Sequence, residues 1–283
     1  MRPVTKTVLI VGAALATSLL LSGCVRFSGG LFGFGPGGLY APIDGDSRPH
    51  SGVDPARALP VQGIDVARYQ ENVDFATARV AGVQFVFMKA TEGRDYVDPS
   101  FERNWQRARD AGMPRGAYHF MNWCSSAEQQ AAWFEKMVPA DWDALPPVLD
   151  LEWQNGSRCK DRGTRAETLG SIRLMLARME RHTGKLPIIY TDINFHRDVL
   201  EGESFANTFW LRSTAAEPQE RYVNRPWTFW QWTQTGVVRG VLGPVDRNAF
   251  YGSQADWQTF VATGCDPRAL IALSASGRCG RSQ

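Results

Sequence analysis

From Val61 onward, short apolar runs alternate with segments whose apolar positions recur every three or four residues. The runs VQGIDV (61–66), VQFVFMKA (83–90), RGAYHF (115–120), PPVLDLE (146–152), LPIIYT (186–191), NTFWLR (207–212) and PWTFWQWT (226–233) are predicted strands. Between them lie helix starts. Asp98 before Pro99 opens a segment with Phe101, Trp105 and Ala108 on one face. Ser125 with Glu128 forms a capping-box pattern ahead of Trp133 and Met137. Thr164 with Glu167 forms another ahead of Leu169, Ile172, Leu176 and Met179. Strands that alternate with helices imply a parallel sheet, either a barrel or a doubly wound sheet.

The first 60 residues have a different texture. Arg2 and Lys6 precede an apolar or small stretch from Val8 to Leu21, too short for a comfortable membrane span and right for a signal peptide. It ends in Leu21-Ser22-Gly23-Cys24, which resembles the bacterial lipobox, so residues 1–23 are expected to be removed and Cys24 lipidated. An ordinary secretory signal or an uncleaved anchor is the alternative. Val25 rather than Asp follows the cysteine, which looks like an outer-membrane sorting signal in a host with two membranes. The expected location is then the cell envelope, on the outer membrane facing the periplasm. Residues 24–60 are rich in Gly and Pro and show neither period, and they read as a tether. Residues 61–283 form the domain, with a short cysteine-containing tail.

Loss of residues 1–23 removes Arg2 and Lys6 from 31 basic residues and nothing from 29 acidic ones, which leaves the mature chain balanced. A basic nucleic-acid footprint is absent. No Gly-x-Gly-x-x-Gly turn or Gly-x-x-x-x-Gly-Lys loop supports a nucleotide, and no cofactor is expected. With Cys24 assigned to lipid, Cys124, Cys159, Cys265 and Cys279 remain. In an oxidising compartment that even number suggests two disulfides, and their spacing does not match a zinc site. Three pairings are open; Cys124 with Cys159 and Cys265 with Cys279 keeps neighbours together.

The candidate chemistry sits at strand ends, where a parallel barrel places its active site. Asp65 in GIDV, Asp150 and Glu152 in VLDLE, and Asp246 in GPVDRN occupy such ends. Residues two apart on a strand share a face, so Asp150 and Glu152 point one way while Leu149, Leu151 and Trp153 point the other. Two carboxylates in a partly dry pocket cannot both ionise cheaply, and one becomes a proton donor near neutral pH. That pairing suits glycoside hydrolysis. Tyr118, Trp153, Tyr190, Trp210, Trp230 and Trp232 lie near strand ends, where flat faces can stack on sugars or simply fill the core. Buried salt bridges to Lys89, Arg212 or Arg239 are one alternative use of the acids, and a magnesium or calcium site is another.

The motifs GIDVARYQENVDF, FMKATEG, DPSFERNWQRARDAGMPRGAYHF, PPVLDLEW, LPIIYT, FWQWTQTG and VDRNAFYG resemble, in order and spacing, glycoside hydrolase family 25 over about residues 61–262. These are lysozymes that cut the β-1,4 bond between N-acetylmuramic acid and N-acetylglucosamine. The resemblance implies a modified (β/α) TIM-like barrel, a single catalytic domain with an incomplete set of helices, that acts as a monomer on peptidoglycan strands with a retaining outcome. It implies Glu152 as general acid and Asp150 as its partner, which either attacks directly or orients the substrate's acetamido group. Asp65 and Asp246 would line the same pocket, with Tyr118 and Tyr190 close to the reacting ring. The chain departs from the family's common pattern at Ala67-Arg68-Tyr69-Gln70, at His196 and at Phe209–Thr214, where Arg212 and Ser213 stand in unusual places. His196 is expected at the surface or the pocket rim. A non-catalytic peptidoglycan-binding lipoprotein, or an effector or immunity-type partner, would carry the same motifs.

Overall fold

In the structure, a computed structural model that describes residues 45–154 and 163–268, all seven predicted runs form strands. Contacts divide the chain into Met1–Gly38 and Leu39–Gln283, and every described residue belongs to the second unit. The signal peptide, Cys24, Cys159 and Cys279 lie outside the described residues.

The strands are β1 (Val61–Val66), β2 (Val83–Glu92), β3 (Tyr96–Val97), β4 (Arg115–Phe120), β5 (Val148–Leu151), β6 (Ile188–Thr191), β7 (Phe209–Arg212), β8 (Phe229–Gly236) and β9 (Val245–Phe250). Eight of them close a ring, because β1 pairs with β2 on one side and β9 on the other, while β3 is a short hairpin partner of β2. The fold is a mixed α/β barrel. One strand breaks the expected parallel order: β9 runs antiparallel to both β8 and β1. The sequence pattern misses β9 because VDRNAF carries Asp246, Arg247 and Asn248 instead of an apolar run.

Strand alternation divides the apolar residues into two cores. Val61, Phe85, Phe87, Val148, Ile188, Trp210, Phe229 and Phe250 fill the barrel. Ile64, Val66, Val86, Met88, Leu149, Leu151 and Ile189 face outward, into a second core shared with the helices. Strands buried on both faces read as continuous apolar runs, which is why the seven segments stand out in the sequence. Gly63 and Gly116 admit the large rings. A Cβ on Gly63 would come within 2.4 Å of the Phe85 ring, and one on Gly116 within 2.5 Å of Phe87.

The helices are α1 (Asp54–Ala58), α2 (Phe75–Val80), α3 (Phe101–Asp110), α4 (Ala127–Met137), α5 (Arg165–Thr183), α6 (Ile193–Phe195), α7 (Pro218–Arg221) and α8 (Gln254–Thr263). Only short helices follow β6 and β7, and none joins β8 to β9, so the helical layer is incomplete. The Thr164 capping box forms as the sequence suggests: Glu167 N–H donates to Thr164 Oγ1 at 3.3 Å and Thr164 N–H donates to Glu167 Oε2 at 2.7 Å. The other two starts shift. α4 is capped by Ser126, not Ser125, and α3 begins at Phe101, with the Asp98 carboxylate accepting from Ser100 N–H at 2.9 Å. Trp257 and Phe260 of α8 join the inner core.

Part of the segment read as tether belongs to the domain. Asp46 bridges Gly236 at the end of β8, and Val53 and Ala56 are buried against Trp230, Trp232 and Ala249. Gly and Pro mask this from a periodicity search, since the contacts come from Val53, α1 and a few bonds of residues 45–47 to Thr235 and Val237 rather than from an amphipathic repeat.

Candidate active site

The antiparallel direction of β9 decides where its acid sits. Asp246 is near the start of β9, yet because that strand runs backwards it lies directly across from Asp65 near the end of β1. Asp150 comes to the same end of the barrel on β5, and Glu152 follows one residue past that strand's last ladder pair, Leu151 with Thr191. The four acids predicted from sequence therefore meet at one cavity of about 440 Å³.

A hydrogen-bonded frame holds them. Asp65 Oδ2 accepts from Asn248 Nδ2 at 2.8 Å and from Gln231 Nε2 at 3.0 Å, and the same Gln231 nitrogen donates to Asp246 Oδ2 at 3.2 Å. Gln231 Oε1 accepts from the Tyr190 hydroxyl at 2.8 Å, and Asn248 Oδ1 accepts from Trp210 Nε1 at 2.8 Å. Gln231 and Asn248 were not among the sequence candidates. Each has a readable signal: Gln231 interrupts an apolar strand on the inward parity of Phe229, and Asn248 stands two residues from Asp246 on the same face.

Burial dominates the electrostatics. It raises Asp150 well above the usual carboxylate range, with the Glu152 charge adding to the effect. Glu152 is raised too, chiefly by burial, against the opposing charge of Arg212. Burial pushes Asp65 up to about 6 and Asp246 up to about 8, the latter also through repulsion from Asp65. Lys89, a possible salt-bridge partner, instead pairs with Glu92 at 2.6 Å. Among the described residues no group of three or more His, Cys, Asp or Glu is arranged to hold a metal ion.

Stability should follow these shifts. Asp65 and Asp246 hold protons more tightly folded than unfolded. Their contribution is fully present below about pH 4, the unfolded value, and is lost as pH rises through about 6 and 8. Asp246→Asn removes the repulsion and one desolvated charge. It is expected to raise Tm by about 2–4 °C at pH 9 and to leave it nearly unchanged at pH 4, as read by calorimetry at the two pH values. A Tm that falls at pH 9 would contradict the account.

The aromatic candidates divide. Tyr118, Tyr190 and Trp210 line the cavity, and Trp210 stacks on Phe87 with centroids 4.8 Å apart. Trp230, Trp232 and Trp153 do not line it, which corrects their reading as sugar platforms. Trp230 is buried beneath α1 and donates to Ser213 O at 2.7 Å. Trp232 lies between the guanidinium groups of Arg57 and Arg247, 5.0 and 5.3 Å from its ring centre. Trp153 packs on Phe195 and donates to Asp198 Oδ2 at 2.9 Å. Trp230 and Trp232 occupy the outward parity of β8, and Trp153, past the end of β5, continues that strand's outward parity, so nearness to a strand end did not place them at the mouth. His196 is buried, not at the rim: it accepts from Arg225 Nε at 3.1 Å, and burial lowers it to about 4. Tyr69, Gln70, Phe120 and Gln234 also line the cavity; the first two belong to the unusual Ala67–Gln70 stretch.

A closed barrel with a set of proton-retaining carboxyls around one mouth cavity defines this protein as a barrel glycoside hydrolase. The chain belongs to Glycosyl hydrolases family 25, which it matches over residues 64–241. Lysozyme M1 of Streptomyces globisporus is 35% identical over 212 residues, covering 72% of each chain. The N,O-diacetylmuramidase of Arthroderma benhamiae is 31% identical over 216 residues, covering 74% of this chain and 89% of that one. The solved structure of a family 25 glycosyl hydrolase from Bacillus anthracis aligns with a TM-score of 0.66 at 30% identity, over 76% of this chain and 98% of that one.

Proposed function

We propose that this glycoside hydrolase cuts peptidoglycan strands at the β-1,4 bond between N-acetylmuramic acid and N-acetylglucosamine, with Glu152 as general acid and a retaining outcome. The observation that carries the proposal is the Asp150 and Glu152 pair, both raised by burial, at a cavity flanked by Tyr118 and Tyr190. The names of the relatives, a lysozyme and a muramidase, support the same substrate. A pure binding module would have no use for four acids that are costly to desolvate.

In this reading Glu152 gives its proton to the glycosidic oxygen as the bond from that oxygen to C1 breaks. The positive charge at C1 is met from the other face by Asp150 itself or by the carbonyl of the substrate's acetamido group, held by Asp150. Water then attacks C1 and returns a proton to Glu152. Two displacements on C1 restore its configuration. Among the described residues Asp150 Oδ1 is buried with no hydrogen-bond partner, and an acetamido N–H is the kind of donor that would suit it, which supports substrate assistance.

Digestion of purified peptidoglycan by the full chain tests the reaction. New muramic acid reducing ends, first formed as the β-anomer by NMR, are the expected products; glucosamine reducing ends, or none, would overturn the assignment. The proposal extends to a monomer anchored in the envelope by lipid on Cys24, on an outer membrane facing the periplasm, with disulfides pairing Cys124 with Cys159 and Cys265 with Cys279. Unreduced peptide mass mapping of the membrane-extracted protein should show an acylated Cys24 peptide and both linked pairs. An unmodified Cys24 peptide, or other linkages, would remove those parts.

A further inference from the structure

Glu152 lies one residue beyond the ladder of β5, where sheet pairing no longer holds the backbone. Three bonds hold the carbonyls of the last two ladder residues and of Glu152 in succession. Met121 N–H donates to Asp150 O at 3.0 Å, Thr191 Oγ1 donates to Leu151 O at 2.9 Å, and Trp123 Nε1 donates to Glu152 O at 2.8 Å. The last of these comes from a side chain that does not line the cavity.

Trp123 is itself tightly placed. Its ring stacks on Phe195 with centroids 5.0 Å apart and planes 22° apart, and Trp153 closes the cluster at 4.6 Å from Phe195 and 5.7 Å from Trp123. The loop that carries it is pinned by fully buried Gln130. Gln130 Oε1 accepts from Asn122 N–H at 2.8 Å, while its Nε2 donates to Asn122 O at 2.7 Å and Ser125 O at 2.9 Å. His119, also buried, meets Gln130 Oε1 at 3.1 Å. A rigid line thus runs from the α4 glutamine through the loop and the indole to the backbone of the acid.

We propose that Trp123 is a positioning residue for Glu152. Its indole N–H fixes the Glu152 carbonyl, and so the direction in which the carboxyl leaves the backbone toward the leaving oxygen. The proposal rests on Glu152 as proton donor. A small misplacement of a proton donor is felt in turnover and not in binding.

The test compares two substrates with the full chain. Trp123→Phe keeps a ring against Phe195 and loses the N–H. On peptidoglycan its kcat should fall about 3–10-fold with KM unchanged, the scale of one lost neutral hydrogen bond. On a 2,4-dinitrophenyl β-glycoside of the cleaved disaccharide, whose leaving group needs no proton, kcat/KM, which reports the bond-breaking step and not the later attack of water, should fall less than about twofold, against the full fall of about 3–10-fold in kcat/KM on peptidoglycan. Equal losses on both substrates, or no loss on peptidoglycan, would overturn the proposal. If Trp123→Phe does not fold, 3-benzothienylalanine at position 123, with sulfur in place of N–H, makes the same comparison. Glu152→Gln run beside it should show the same dependence on leaving group; equal loss on both substrates there would overturn the proton-donor reading instead.

Discussion

Glu152→Gln is expected to lower kcat on peptidoglycan about 10²–10⁴-fold, with KM within about twofold of the unaltered protein. The amide matches the carboxyl in size and keeps a hydrogen-bonding end, but it has no proton to give to the glycosidic oxygen. The effect belongs to position 152 rather than 150 for a geometric reason. Asp150 is 7% exposed on the strand itself, whereas Glu152 is only partly buried and stands past the strand end, nearer an entering sugar. Burial keeps Glu152 protonated to a higher pH than a free carboxyl, the right sign for an acid, but it holds the proton on Asp150 more strongly still, so position and not the pKa selects Glu152. Replacement also removes a group that is costly to ionise in the buried pocket, so Tm at neutral pH should stay level or rise. Retention of more than about a tenth of the activity would overturn the assignment of the acid.

Phe229→Ala is expected to cost about 3–5 kcal/mol of folding stability, the usual range for emptying a large aromatic site. Phe229 is the hub of the barrel interior. Its ring lies 5.4 Å from Phe85, 5.5 Å from Phe87, 5.4 Å from Phe250, 5.2 Å from Phe260 and 6.4 Å from Trp257. Those neighbours come from three elements, β2, β9 and α8, and a ring of strands cannot contract easily to fill the gap. Denaturant unfolding should show a lower midpoint at an unchanged slope. A loss below about 1 kcal/mol would mean that the interior collapses around the missing ring.

The two experiments probe two layers of one barrel. The inner faces of the strands carry apolar side chains at one level and polar ones at the mouth, and the change happens within single strands: Val148 then Asp150 on β5, Phe229 then Gln231 on β8. Stability built below supports a mouth whose charges weaken the fold.

The catalytic candidates could be read from PPVLDLEW and GIDV because strand geometry is local. A period of two puts Asp150 and Glu152 on one face with Leu149 and Leu151 on the other, and the structure keeps that division. The same logic located seven of the eight barrel strands. Nearness to a strand end is the weaker guide. It puts Trp230 and Trp232 at the pocket, and Trp153 too, although parity already sets Trp153 on the face opposite Glu152. It also gives no sign of the burial of His196, which depends on Tyr222 and Arg225 from distant segments.

Residue spacing along the chain therefore settled which carboxyls could act together on a strand and which runs would pair, because both are set within a few residues by backbone geometry. Only the closed barrel decided the rest. The reversed direction of β9 brings Asp246 opposite Asp65, and bonds between distant segments place Gln231, Asn248 and Trp123 around the acids. Those relations join residues up to 183 positions apart. No local period encodes them; they arise when the barrel closes and buried polar groups must find partners.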